Sequence, residues 1–213
     1  MIQQRARATR ESILAGAAAV FEAQGYGTAS LARVAEQASV TKGALYFHFP
    51  SKDELARAVI AAQHSFVQER SAVILAEGHP PLVSMILMTR EFGRDLVDEP
   101  IVRAGIRLTF EAPAFGQDVA GPYRDWVATT EALTEAARAG GWLRPGVDPP
   151  AFARLLVASF TGVQMVSNIL TGRRDVMQRI EEMWAALLPG ILAAEFQDDA
   201  GRLSGLVAES PST

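Results

Sequence analysis

Apolar residues recur along this chain at spacings of three and four, and no two-residue alternation persists, so the pattern is helical throughout. Ile13, Leu14, Ala17, Ala18, Val20 and Phe21 form one stripe and predict a first helix over about 9–24, ended by Gly25. A short second helix is expected near 30–38, with Leu31, Val34 and Ala35 inward, and a third over about 41–47. Pro50 breaks the chain, and Ser51-Lys52-Asp53-Glu54 has the form of a capping box, so a long fourth helix starts there and runs to about Ala76 before Gly78, Pro80 and Pro81 close it. Further stripes follow: Leu82 to Leu96, a segment started by Pro100, then 123–140, 151–170 and 175–195. Loops are expected over 112–122 and 141–150, which are rich in proline and glycine. The fold class is therefore all-α, with about nine helices and no internal repeat.

The expected organisation is a helix-turn-helix head over 1–50, a larger helical domain over 51–198 and a loose, small and polar tail over 199–213. The chain has 213 residues, 49% apolar and 21% charged, which suits an ordinary globular protein with a sizeable core. It has no cysteine, which excludes disulfides, thiolate metal sites and cysteine nucleophiles and fits a reducing cytoplasm. No signal peptide is read near Arg5, Arg7 and Arg10. The one long uncharged stretch, 155–171, carries Ser159, Thr161, Gln164, Ser167 and Asn168, so an interface helix is expected there and no membrane partner. Net charge is -4, but residues 1–57 hold seven basic side chains against five acidic ones, a mildly basic head on an acidic body.

The head carries the most informative chemistry. A short helix, a tight turn at Ser39-Val40 and a second short helix make the helix-turn-helix layout. Small Ala35 allows close approach, and Val40, Leu45 and Phe49 fix the crossing. The outward face of the second helix is Thr41, Lys42, Gly43, Ala44, Tyr46 and His48, with no acid among them, as entry into a polyanion's major groove requires. Lys42 can reach a guanine edge or a phosphate, Tyr46 and His48 can bond phosphate oxygens, and Lys52 at the start of the fourth helix offers one more phosphate site. His48, His64 and His79 make no metal-ligand spacing, so no metal and no cofactor are expected.

The run GYGTASLARVAEQASVTKGALYFHFPSKDEL closely resembles the signature of the tetracycline-repressor (TetR) family of bacterial regulators, strongly over residues 5–60 and architecturally beyond. Ser39 departs from the glycine that the family often has in the turn. The resemblance implies that Thr41, Lys42, Gly43, Ala44, Tyr46, His48 and Lys52 contact DNA, with Ser30 touching phosphate from a helix N-terminus. It also implies a two-fold homodimer that reads palindromic operator DNA.

In the body, Trp126 sits between polar neighbours on the inward side of its helix, either as core or as a pocket wall. Gln63, Thr161 and Gln164 are polar groups in apolar surroundings, which pair with each other or with a ligand. The segments Pro100–Leu108, Asp125–Glu131 and Ala158–Gln164 resemble the γ-butyrolactone receptors of actinomycetes. That resemblance implies a γ-butyrolactone or butenolide effector walled by Trp126 and hydrogen-bonded at Gln63 and Thr161. The apolar stripe Val176, Ile180, Met183, Trp184, Leu187, Leu188, Ile191 and Leu192, with the helix before it, is expected to form the dimer face, the alternative being burial within one chain. The functional expectation is a ligand-released repressor. A regulator sensing an antibiotic or other hydrophobic compound, a helical interaction module and an all-α enzyme are the alternatives, the last opposed by the lack of a nucleophile–base pair or phosphate loop.

Overall fold

A computed structural model describes residues 2–112 and 120–209. Among the described residues there are ten α-helices, one short 3-10 segment and no strand. In chain order they are α1 (Ile2–Thr28), α2 (Leu31–Gln37), α3 (Lys42–His48), α4 (Lys52–Ala76), α5 (Pro81–Asp98), α6 (Pro100–Glu111), α7 (Ala120–Ala139), α8 (Pro149–Thr171), α9 (Val176–Ile191) and α10 (Ala200–Gly205). Of the loop expected over 112–122, residues 113–119 lie outside the described residues, and α7 begins at Ala120, ahead of the expected Tyr123.

The chain packs as two units, Met1–Gln68 with Asp98–Val119, and Glu69–Val97 with Ala120–Thr213. The boundary expected at residue 50 is therefore not a packing boundary. Leu55, Ala56, Val59 and Ile60 of α4 share one buried cluster with Ile13, Ala17 and Phe21 of α1, Val34 and Ala35 of α2, Leu45 of α3, and Ala104 and Leu108 of α6. The physical reason is size: one long helix and two short ones do not cover their own apolar faces, so α4 and α6 complete the core.

α1 starts seven residues before the sequence pattern does and passes through a kink at Gly25, where φ is 73°. That left-handed backbone favours glycine, and a Cβ there would fall 2.5 Å from Arg107 Nη2, the far end of a side chain that would have to shift. Past the kink, the Tyr26 N–H donates to Glu111 Oε2. Arg107 donates to the Glu22 carbonyl, and Arg103 pairs with Glu22. These partners come from 81 to 85 residues away in sequence.

In the second unit, Leu82, Met85 and Ile86 of α5, Leu156 and Phe160 of α8, and Ile180, Trp184 and Leu188 of α9 are buried. Trp184 Nε1 donates to Thr89 Oγ1 at 2.8 Å, which satisfies the one polar atom of that ring. The expectation that the α9 stripe forms the dimer face is corrected here. Val176, Ile180, Met183, Trp184, Leu188, Ile191 and Leu192 are buried within the protomer. An apolar stripe must be covered, and α9 packs against α8 and α10 of its own chain.

The tail expected to be loose is also ordered over its described part. After a 3-10 segment at Ala194–Asp199, α10 buries Leu203 and Ser204, and Val207 follows them inward. Arg90 donates to the Leu206 carbonyl at 3.3 Å and Arg94 to the Glu209 carbonyl. Phe196 stacks on Trp142, with centroids 4.4 Å apart. Leu203 and Val207, four positions apart, dock a segment that is otherwise mostly small and polar.

Candidate DNA-reading and ligand sites

The head builds a reading helix with few atoms. Ser30 caps α2, its hydroxyl oxygen accepting from Arg33 N at 3.3 Å. Thr41 caps α3, accepting from Ala44 N at 3.1 Å. Each cap uses an oxygen lone pair and leaves the hydroxyl hydrogen to donate. The turn between them puts Ser39 at φ 54°, in the left-handed region that favours glycine, and the Val40 N–H reaches back to the Ala35 carbonyl at 3.0 Å. Buried Leu45 and Phe49 hold α3 to the core. Its exposed side presents Lys42, Gly43, Tyr46 and Phe47, with Ala44 and His48 half-buried. Phe47 is 80% exposed and was not singled out from the sequence, although its place between Tyr46 and His48 marked it as outward. Its ring meets the His48 ring edge-on at 5.2 Å.

Lys52, expected to contact phosphate, also makes contacts within the head. Its ammonium donates to the carbonyls of Tyr26 at 2.8 Å, Ala29 at 3.2 Å and, more distantly, Gly27 at 3.5 Å, and lies 4.3 Å from the centre of the Tyr26 ring. An ammonium has three protons, and three carbonyls face it. The Tyr26 hydroxyl donates to Asp53 Oδ1. Burial and that carboxylate push the Tyr26 phenol up to about 12, so it stays a donor. Lys52 and Asp53 thus fasten the start of α4 to the segment beyond the α1 kink, while Ser51 caps the helix by accepting from Glu54 N at 3.1 Å.

The ligand candidates fall in both units and are described within each. Gln63, in the first, is 1% exposed. A Cβ on Gly105 would sit 2.3 Å from Gln63 Cβ, so the backbone of α6 comes directly against this side chain. Gln63 Nε2 is buried with no hydrogen-bond partner among the described residues. In the second unit, Trp126 is half-buried in an aromatic group. Phe92 lies 5.3 Å from it and Tyr123 4.9 Å, both edge-on, and Phe160 lies 5.1 Å from Phe92. Thr161 is hydrogen-bonded to the Tyr123 hydroxyl, and burial raises the Tyr123 pKa above its ordinary value against the opposing effect of that bond. Gln164, one turn on along α8, is buried. The structure therefore brings Trp126 and Thr161 together through Tyr123, a residue the sequence reading passed over. Its spacing of three from Trp126 was the available signal.

Comparison with known proteins places this geometry. A family profile described as bacterial regulatory proteins, tetR family, matches residues 13–59. A second, the tetracyclin repressor-like C-terminal domain, matches residues 80–193, more than half of the chain. The A-factor receptor protein of Streptomyces griseus is 39% identical over 189 residues, a match covering 89% of this chain and 66% of that protein, just under two thirds of its length. A solved gamma-butyrolactone receptor (ArpA-like protein) superposes with a TM-score of 0.81 at 27% identity, over 95% of this chain and 98% of that one. CprB of Streptomyces coelicolor, a TetR family protein solved in complex with its biological operator sequence, superposes with a TM-score of 0.79 at 28% identity, over 97% of this chain and 100% of that one. The chain belongs to the tetR family of bacterial regulatory proteins.

Proposed function

We propose that this chain is a cytoplasmic, non-enzymatic transcriptional repressor that binds palindromic operator DNA as a homodimer and is released by a small effector of the γ-butyrolactone or butenolide type. The observation that carries the reading is the exposed, acid-free side of α3, held by the Thr41 cap and the buried Leu45 and Phe49. A helix so displayed suits the major groove, with Lys42 reading a base edge or gripping phosphate and Ser30, Thr41, Tyr46 and His48 bonding the backbone. Gly43 and Ala44 keep that surface low enough for close approach.

For the effector, Trp126 with Phe92, Tyr123 and Phe160 forms an apolar wall, and the Tyr123–Thr161 pair supplies hydroxyls at its edge. An alkyl-bearing lactone fits that combination. Gln164 is a further polar contact from α8. Gln63, in the first unit, is a separate candidate contact, supported by its buried Nε2 without a hydrogen-bond partner among the described residues. Release requires the effector to bind the form with low DNA affinity more tightly than the DNA-bound form. The four aromatic rings also favour a second occupant, a flat hydrophobic antibiotic.

The test is a gel shift on operator fragments selected from genomic DNA, titrated with a γ-butyrolactone or with antibiotics in parallel. Lys42→Ala is expected to weaken specific binding by about 1–3 kcal/mol, roughly 5- to 150-fold. Trp126→Ala is expected to bind DNA as the parent does and to lose release. A folded Lys42→Ala protein with parental operator affinity would overturn α3 as the reader. Normal release of Trp126→Ala by the lactone would reduce Trp126 to core packing.

A further inference from the structure

The cations of the head are unevenly committed. Lys52 is held by main-chain carbonyls, Arg33 pairs with Glu36 at 3.1 Å and Arg7 with Glu11 at 2.9 Å. Arg103 and Arg107 pair with Glu22 and Glu111. Lys42 on α3 and Arg5 and Arg10 on α1 are exposed, and none of these three has a carboxylate within ion-pair distance among the described residues. One lysine on the reader is a small charge for a polyanion whose sequence-independent affinity comes from neutralised phosphates.

We propose that the first turns of α1 are a second DNA-contacting surface, in which Arg5 and Arg10 neutralise backbone phosphates beside the end of the reading helix. The proposal rests on the DNA-binding reading above. Its anchor is Arg10, whose guanidinium lies over the Phe49 ring, 5.2 Å from the centroid. Phe49 is the C-cap of α3, so this stack fixes the basic turn of α1 next to the end of the helix that presents Tyr46, Phe47 and His48. Stacking uses the face of the guanidinium and leaves its in-plane N–H donors for phosphate oxygens. Arg5 lies five residues earlier, about 7.5 Å along the helix axis and about 140° around it, so the two side chains leave α1 in different directions and meet separate phosphates. No acidic residue precedes Glu11. The surface exists because α1 begins at Ile2, and these turns precede the segment that the family profile covers.

The measurement is the salt dependence of binding to a duplex of about 30 base pairs of arbitrary sequence, which isolates the charge contribution from base reading. Arg5→Gln/Arg10→Gln is expected to lower the magnitude of the log–log slope by about 1.8 per head, at about 0.9 per lost contact. Arg5→Lys/Arg10→Lys keeps the parental slope, because the slope counts charges. Arg138→Gln, on α7 and paired with Glu135, leaves it unchanged. Helicity by circular dichroism is checked for each, and Arg5→Gln alone, on an exposed turn, gives about half the effect. An unchanged slope in the folded double glutamine variant, or an equal loss in Arg138→Gln, overturns the proposal. A parent protein that binds no duplex at low salt overturns the DNA-binding reading beneath it.

Discussion

Gln63 places an amide where water does not reach, and the close passage of Gly105 leaves it no room to turn away. A buried donor without a partner costs about 1–3 kcal/mol, while an apolar side chain of the same shape removes that cost. Gln63→Met is therefore expected to leave the thermal midpoint unchanged or raise it by up to a few degrees. The same variant is expected to need about tenfold more effector for release from DNA, the value of one lost hydrogen bond near 1.4 kcal/mol. A variant that melts early and responds normally would make the amide structural. Side chains of this kind were legible in the sequence, because a glutamine or a threonine on an apolar stripe is conspicuous. Lys52 was not legible. Which carbonyls a lysine after a helix cap will meet is not written in its neighbours, and only the fold of residues 26–29 decides it.

At the scale of elements, stripes and caps predicted where helices lie, while their partners decided how they end. α1 continues past its apparent glycine stop because Glu111 and Arg107, far off in sequence, take up the polar groups of the kinked turn. The α8–α9 junction is closed more locally. Ser167 and Thr171 donate to Asp175 Oδ1 at 2.6 and 2.7 Å, and Arg179 Nε meets Oδ2 at 2.9 Å. These hydrogen bonds, with Arg179 beside them, lower the Asp175 carboxyl from 3.8 to about 2. A carboxyl depressed by folding contributes stability that is complete above its unfolded value and disappears as pH falls through its folded value. The window here runs from about pH 4 down to about pH 2. Thermal melts across that window should fall less steeply for Asp175→Asn than for the parent. Parallel curves for the two proteins would mean that the junction does not sense the charge.

At the scale of the molecule, the question is which apolar surface remains for a second copy once each chain has covered its own core. The α9 stripe is already covered, so the sequence pattern located an apolar face without revealing what covers it. α8 supplies the other surface. Leu155, Ala158, Gly162, Val166 and Ile169 recur at spacings of three and four along one side, and Leu155, Val166 and Ile169 are 50%, 41% and 71% exposed. Small Ala158 and Gly162 at the centre permit close approach of another helix, and nothing lies within 4 Å of a Cβ built on Gly162. α8 is also long and apolar enough to cross a membrane by length and composition, which is the character expected of a helix covered on two sides. We propose this side of α8 as the homodimer face, and two substitutions separate it from the core. Val166→Asp is expected to give folded monomers in light scattering at micromolar concentration, because the charge is solvated once the partner leaves. Leu188→Asp, at a site with no exposure, is expected to abolish the cooperative thermal transition, because that charge has nowhere to go. The Val166→Asp monomer should also lose most of its affinity for a palindrome, since two linked heads bind far more tightly than one. A Val166→Asp protein that stays dimeric would place the interface elsewhere.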